Sequence, residues 1–357
     1  MERYTRLPRA LLVSIAAIAI IESAAWRAPR ALWSGFFAVS EIRDDEAFRF
    51  RSRVERISVD RPALLLMGSS QIREGADTDQ IQRILFDAGL GRIQVVNLGT
   101  SAGAFLELYG QLDLALRKRP AIIVASPGPH GLYWPYSELD SLTEYCYSLE
   151  TAGSLIWSLR GSVGINALQR FLGVAFLYEM LPSSRLVRSY KIHTLGARWI
   201  GNHQPKSPEY YYSRDLTLTE MEESFQSLPP PRISGRTSTQ SGLARATIKK
   251  ILDDGSAICF LDFPLNPAAG DLTAAWEPSI RGSEEILNEL AENHQFRYRK
   301  RDSLPQFDAG DFRDVCHLNQ RGRSKMSEVI AEMVIQELRS RNDALQKSTG
   351  KTEVPAP

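Results

Sequence analysis

The sequence predicts an α/β domain built on a parallel sheet. Short apolar runs at residues 63–67, 92–98 and 121–125 alternate with helical patterns, at the spacing of βαβ units. The first run, Ala63-Leu64-Leu65-Leu66-Met67, is apolar throughout, as expected of a strand covered on both faces. The rhythm returns near the carboxyl end, with another apolar run at 257–261 and an amphipathic helix over 319–338.

Ahead of the first strand, Arg3, Arg6 and Arg9 precede an apolar stretch from Ala10 to Ile21, and Glu22-Ser23-Ala24-Ala25-Trp26 follows. A basic flank and a short apolar core are the pattern of a secretory signal or a signal-anchor. Ser23 and Ala25 suit cleavage after Ala25. Length favours an uncleaved membrane helix over 1–26, because a helix needs about 20 residues to span a bilayer. The arginines would then stay in the cytoplasm, Trp26 and Trp33 would sit at the far interface, and the main domain would be exported to the periplasm or outside the cell. A buried helix of a soluble protein is the remaining reading. Residues 27–61 read as a juxtamembrane segment.

Pro62 opens the first strand. Asp77-Thr78-Asp79 resembles an N-cap for a helix that keeps Ile81, Ile84 and Leu85 on one side, and Gly89 and Gly91 close it. The second strand, 92–98, ends in Gly99-Thr100-Ser101-Ala102-Gly103. A helix over 105–119 places Phe105, Leu108, Leu112 and Leu116 on its apolar side, and Pro120 introduces the third strand. Between 129 and 239 the rhythm stops. A structureless loop of that length does not suit a compact domain, so this stretch reads as an inserted cap. A helix over 241–254, a strand over 257–261, a helix over 278–293 and a charged edge strand over 296–299 follow. The α/β domain therefore comprises 62–128 and 240–341, and the polar tail 342–357 is expected to be disordered.

Composition excludes several functions. The 357 residues carry a formal net charge of +1 and no basic stripe with interleaved aromatics, so no nucleic-acid partner is expected. No phosphate-binding glycine loop and no zinc motif occurs, so neither cofactor nor metal is expected. The three cysteines, Cys146, Cys259 and Cys316, are far apart and read as buried free thiols.

Two short motifs point to chemistry. Gly68-Ser69-Ser70 ends the first strand, and ligands of open α/β sheets bind outside the carboxyl ends of strands. A serine hydroxyl such as that of Ser70 becomes a useful nucleophile when an adjacent base takes its proton. Of the five histidines, His317 stands out because Asp314 precedes it by three residues. That spacing lets the carboxylate reach Nδ1 and leaves Nε2 to face the serine. Each motif alone also reads as an ordinary helix cap. A rival nucleophile is Ser101, since Gly99-Thr100-Ser101-Ala102-Gly103 matches G-x-S-x-G. The nucleophile-elbow fold normally has more strands before that motif, so Ser101 is assigned to an oxyanion loop. Arg73 reads either as a carboxylate or phosphate ligand or as a solvated surface residue. Tyr133, Trp134 and Tyr136 suit either stacking on a sugar ring or packing of the cap.

Gly68-Ser69-Ser70, Val96-Asn97-Leu98-Gly99-Thr100-Ser101-Ala102-Gly103 and Asp314-x-x-His317-Leu318-Asn319 together resemble the SGNH (GDSL-like) hydrolase superfamily. The resemblance covers residues 62–128 and 240–338. With the amino-terminal helix, it is most similar to a membrane-anchored envelope branch that includes teichoic-acid D-alanylation and alginate acetylation proteins. It implies a flavodoxin-like three-layer sandwich, with Ser70 as nucleophile, His317 as base and Asp314 orienting the base. The Ser70 N–H and one from the Gly99–Gly103 loop, at Gly99, Ala102 or Gly103, would form the oxyanion hole, with Asn97 as a further oxyanion or substrate residue. The implied activity is an esterase or O-acyltransferase acting on an acylated glycan or another ester. The sequence departs from the family at Ser126-Pro127-Gly128-Pro129-His130, where His130 stands in place of the usual oxyanion Asn. Losing one such donor typically costs ~10²–10³ in rate. The departure keeps open a catalytically decayed binding or assembly protein on the same fold.

Overall fold

The structure, a computed structural model, describes residues 53–100, 105–126, 237–294 and 296–349, with Phe50, Gly128 and a few isolated positions. The expected membrane helix, the juxtamembrane residues 27–49, nearly all of the inserted cap and the end of the tail lie outside the described residues. Among the described residues, no helix is long and apolar enough to cross a membrane.

Five parallel strands form one sheet in the order β2-β1-β3-β4-β5. They are β1 (Ala63–Gly68), β2 (Gln94–Asn97), β3 (Ile122–Ser126), β4 (Ala257–Leu261) and β5 (Arg297–Arg299). Every residue of β1, β3 and β4 is buried, which is why these strands lack polar alternation. The charged strand β5 lies at an edge, as expected, with β2 at the other.

The two faces of the sheet bury separate cores. Leu65, Met67, Ile123, Ala125, Ile258 and Phe260 face α3 (Phe105–Leu116), α4 (Thr237–Asp253) and α5 (Glu277–His294). The alternate positions Leu64, Leu66, Val124, Cys259 and Leu261 face α1 (Ser70–Gly75), α2 (Thr78–Leu85) and α6 (Gln320–Thr349). The strand period of two thus becomes three layers, helix, sheet and helix.

Some boundaries differ from expectation. The helix α6 continues to Thr349, beyond Asn342, where a disordered tail was expected to begin. Its last residues are polar but include Ala, Leu, Gln and Lys, which are good helix formers, so polarity alone did not mark an end. The helix α4 starts at Thr237, inside the stretch assigned to the cap. A short helix, α1, directly follows the Gly-Ser-Ser turn. Asp77 caps α2 as its sequence suggested, accepting from the N–H groups of Asp79 and Gln80 at 3.0 Å each.

The order of the strands fixes the crevice by topology. From β1 the chain moves outward to β2 and then returns to β3 on the other side of β1. This reversal is a switch point, and ligands of such sheets bind at its carboxyl edge. Gly68, at the end of β1, has φ +130°, and a Cβ there would lie 1.9 Å from the Ser126 carbonyl oxygen of β3. Only glycine lets the two strand ends come this close.

Candidate active site

The two adjacent serines have different roles. Ser69 is the N-cap of α1, with extended backbone, and its Oγ accepts from the Gln71 N–H at 3.3 Å. Its own N–H donates to the Ser126 carbonyl at 2.9 Å, and the residue is buried. Ser70 begins the helix, is half-buried, and places its Oγ 2.8 Å from His317 Nε2. The cap turns one hydroxyl inward, and the next residue is thereby aimed across the site.

His317 sits in a loop folded on Asp314. The Asp314 Oδ1 accepts the backbone N–H groups of Cys316 at 2.9 Å and His317 at 2.7 Å. This tight turn brings the His317 ring back onto the carboxylate, with Nδ1 2.8 Å from Oδ2 and 3.0 Å from Oδ1. With the proton on Nδ1 donated to Asp314, Nε2 is an acceptor facing Ser70.

The loop is pinned from several sides. Asn266 donates its side-chain N–H to the Asp314 carbonyl at 3.1 Å and its backbone N–H to the Val315 carbonyl at 3.0 Å. Gln71, next to the serine, donates to the Cys316 carbonyl at 3.1 Å. Val315 packs with Ala269, Trp276 and Ile280 in a small apolar cluster. The Ser70 turn and the His317 loop are therefore tied together by Gln71 as well as by the Ser70–His317 contact.

Charge favours an imidazole that binds its proton tightly. Burial pushes the His317 ring toward its neutral form, but Cys316 and Asp314 beside Nδ1 outweigh burial and hold its pKa well above the usual histidine value. Burial alone would raise the Asp314 carboxyl. The His317 ring and the two backbone N–H groups outweigh it and hold the carboxyl below the usual range.

A second charged group lies behind this loop. Glu74 is buried and bridges Arg73 and Arg313, each at 2.6 Å. Arg313 also approaches Asp314 Oδ2, with Nε at 3.6 Å. Glu74, Arg313 and Gln71 were not singled out in the sequence. Their meaning depends on contacts between distant segments, and no local pattern announces it. Replacing Glu74 with Ala is expected to cost about 3 kcal/mol, since breaking a buried ion pair leaves its partners uncompensated. Urea denaturation of Glu74→Ala checks this, and a stability equal to wild type would refute it.

Several predicted site residues have other employment. Asn97 donates to the Ile72 and Arg73 carbonyls at 3.0 and 3.1 Å and accepts the Gly99 N–H at 3.0 Å. Its side chain is thus a clamp between β2 and α1, with no donor left for an oxyanion. The same bond spends the Gly99 N–H, and the Thr100 N–H donates to the Gly68 carbonyl at 2.8 Å. Arg73, expected to meet a substrate anion or solvent, is largely buried and paired with Glu74. Ser101, Ala102, Gly103, His130 and the aromatic trio lie outside the described residues. Gly128 does sit at the site: a Cβ there would lie 2.7 Å from Ser69 Oγ. Of the cysteines, Cys259 is buried, as expected, and burial pushes its thiol pKa up. Cys316 is only half-buried and lies 3.7 Å from His317 Nδ1.

No family model and no curated protein matches the chain. Solved structures similar to it include a GDSL-like lipase from Bacteroides thetaiotaomicron, at 8% identity over 82% of this chain and 98% of that one, with a TM-score of 0.39. A catalytic mutant of an acetylxylan esterase from Geobacillus stearothermophilus matches at 11% identity over 76% and 94%, with a TM-score of 0.39. An α/β hydrolase from the metagenome of Lake Arreo, Spain, matches at 11% identity over 76% and 94%, with a TM-score of 0.36. The chemistry of the site rests on its own geometry.

Proposed function

We propose that the chain is a serine hydrolase of the SGNH type, an esterase or O-acyltransferase for an acyl ester. The observation that carries this reading is the line of contacts from Ser70 Oγ through His317 to Asp314, at 2.8 Å on each side of the ring. Those distances lie within hydrogen-bond reach of a nucleophile and its general base. Ser70 Oγ attacks the ester carbonyl and His317 Nε2 takes its proton. The ring then returns that proton to the departing alkoxide, leaving an acyl group on Ser70. A second hydroxyl, activated by the same nitrogen, attacks the acyl-enzyme and releases Ser70. Water gives hydrolysis, and a sugar hydroxyl gives transfer. Asp314 keeps the ring in the tautomer that accepts at Nε2 and stabilises the imidazolium.

The Ser70 N–H has no hydrogen-bond partner among the described residues and supplies one oxyanion donor. The second donor in this reading comes from the 101–103 loop or from His130. An acylated cell-envelope or exported glycan as substrate, and an exported domain on an amino-terminal membrane anchor, are part of the proposal and rest on the sequence. Covalent labelling of Ser70 by a fluorophosphonate probe tests the reading. A second reading, a binding or assembly protein with a decayed site, is favoured by the engagement of both Asn97 and the Gly99 N–H. It predicts no labelling.

The pH dependence follows from the His317 shift. Labelling should rise with pH through a midpoint above the ordinary histidine value of about 6.5, because Nε2 can take the Ser70 proton only while the ring is neutral. Stability runs the other way. The part contributed by protonated His317 is complete below the unfolded histidine pKa and is lost as pH climbs through the raised one. Labelling rates across a pH series check the first limb, and a midpoint below that of free histidine would refute it.

A further inference from the structure

We propose that Asp314, Cys316 and His317 form a binding site for a borderline-soft divalent cation of the Zn²⁺ class, and that the bound ion switches off Ser70. Three different donors converge here: Asp314 Oδ, Cys316 Sγ and His317 Nδ1, all within 4.8 Å of one another. Nitrogen, sulfur and carboxylate oxygen together suit Zn²⁺ and not the oxygen-seeking Mg²⁺ or Ca²⁺.

The spacing also fits. Bond lengths of about 2.3 Å to sulfur and about 2.0 Å to nitrogen or oxygen put tetrahedral ligands roughly 3.3–3.6 Å apart. Sγ stands 3.7 Å from Nδ1, already near that value, and Nδ1 stands 2.8 Å from Oδ2. The ring and carboxylate need to part by only about half an ångström to admit the ion. The two carboxylate oxygens are unequal in a way that helps. Oδ1 is held by the backbone N–H groups of Cys316 and His317, whereas Oδ2 receives no backbone N–H. The facing cation is Arg313, with Nε 3.6 Å from Oδ2, and its guanidinium is bound to Glu74 at 2.6 Å. Water completes the coordination from the open side, since Asp314 and His317 are each 20% exposed.

The ion occupies the place of a proton. In the reactive form of the site His317 is neutral, with its proton on Nδ1 facing Asp314. Ligation at Nδ1 leaves the neutral ring with its one proton on Nε2, and ionisation of the Cys316 thiol releases one proton to solvent. Nε2–H then donates toward Ser70 Oγ and has no lone pair with which to take the serine proton. The three ligands come from one tight turn, and the sequence carries no CxxC or paired-histidine spacing by which the site would be noticed.

Ion binding stands apart from the hydrolase reading, but the loss of reactivity rests on it, so two measurements are needed. Titration of the full chain with Co²⁺ should give a thiolate-to-cobalt charge-transfer absorption at one equivalent. The band should vanish in Cys316→Ala and in Cys316→Ser, the second being nearly the same size as the native side chain. Zn²⁺ should slow fluorophosphonate labelling of the wild type by at least about tenfold, because general-base assistance is worth ~10²–10⁴. Within each Cys316 variant, the rates with and without Zn²⁺ should agree. Absence of the band, or its persistence in both variants, overturns the site. A band that depends on Cys316, with labelling unaffected by Zn²⁺, overturns the switch. A wild type that fails to label without metal refutes the hydrolase reading and with it the switch, and the cobalt band still decides the site.

Discussion

Replacing Ser70 with Ala is expected to abolish covalent labelling and to lower esterase turnover by about 10⁴-fold or more, the scale on which loss of a nucleophile acts when a triad works as a unit. Ser69→Ala is the informative partner. Ser69 accepts the Gln71 N–H and faces Ser126, so its loss removes a helix cap worth about 1 kcal/mol and should leave labelling at Ser70 in place. Mass spectrometry of the labelled peptide separates the two. A probe adduct on Ser69 in the wild type, or labelling that survives in Ser70→Ala, would sink the assignment of the nucleophile. Asp314 and His317 contribute through Ser70, so their effects should not add to that of Ser70→Ala.

The largest effect on stability is expected at Gly68. An alanine there must hold φ near +130°, and its Cβ must lie 1.9 Å from the Ser126 carbonyl oxygen and 2.5 Å from its carbon. Both contacts are to backbone at the centre of the sheet, where β1 and β3 cannot shift independently. A loss of at least about 4 kcal/mol is expected, a large share of the ~5–15 kcal/mol by which domains are stable. Gly89 isolates the contribution of backbone strain. It has φ +82°, and a Cβ added there would meet nothing within 4 Å, so Gly89→Ala should cost only about 1–2 kcal/mol. Equal losses in the two variants under urea denaturation would show that the close approach of β1 and β3 is not what constrains Gly68.

The strands that were easiest to read are those buried on both faces. In β1, β3 and β4 burial acts on every residue and leaves an unbroken apolar run, whereas β2 is half-buried throughout and spans only Gln94–Asn97 of the expected 92–98. The Asp314–His317 pair was legible because a turn of three residues is local. The choice of Ser70 over Ser69 rested on the family resemblance alone, because both are hydroxyls after the same glycine; in the structure the cap geometry separates them. Asn97 and Arg73 misled for one reason. A polar side chain near a site looks available until its partners are known, and these partners are the carbonyls of α1 and the buried Glu74. Glu74 and Arg313 are 239 positions apart, beyond the reach of any local pattern.

The tie between Ser70 and His317 has a consequence in time. The two lie 247 positions apart, and the His317 loop immediately precedes α6. That helix docks on the first βα unit through Ser327, which accepts the Asp77 N–H at 2.8 Å, and through Arg323, which donates to the Ala76 carbonyl at 3.2 Å. During synthesis Ser70 emerges well before His317 and folds its cap without the imidazole beside it. Ser70 meets His317 only after residue 317 has left the ribosome and α6 has closed the layer. The assembled pair is thus a marker that the three layers have closed, and a chain cut short before residue 314 carries the serine turn without Asp314 or His317.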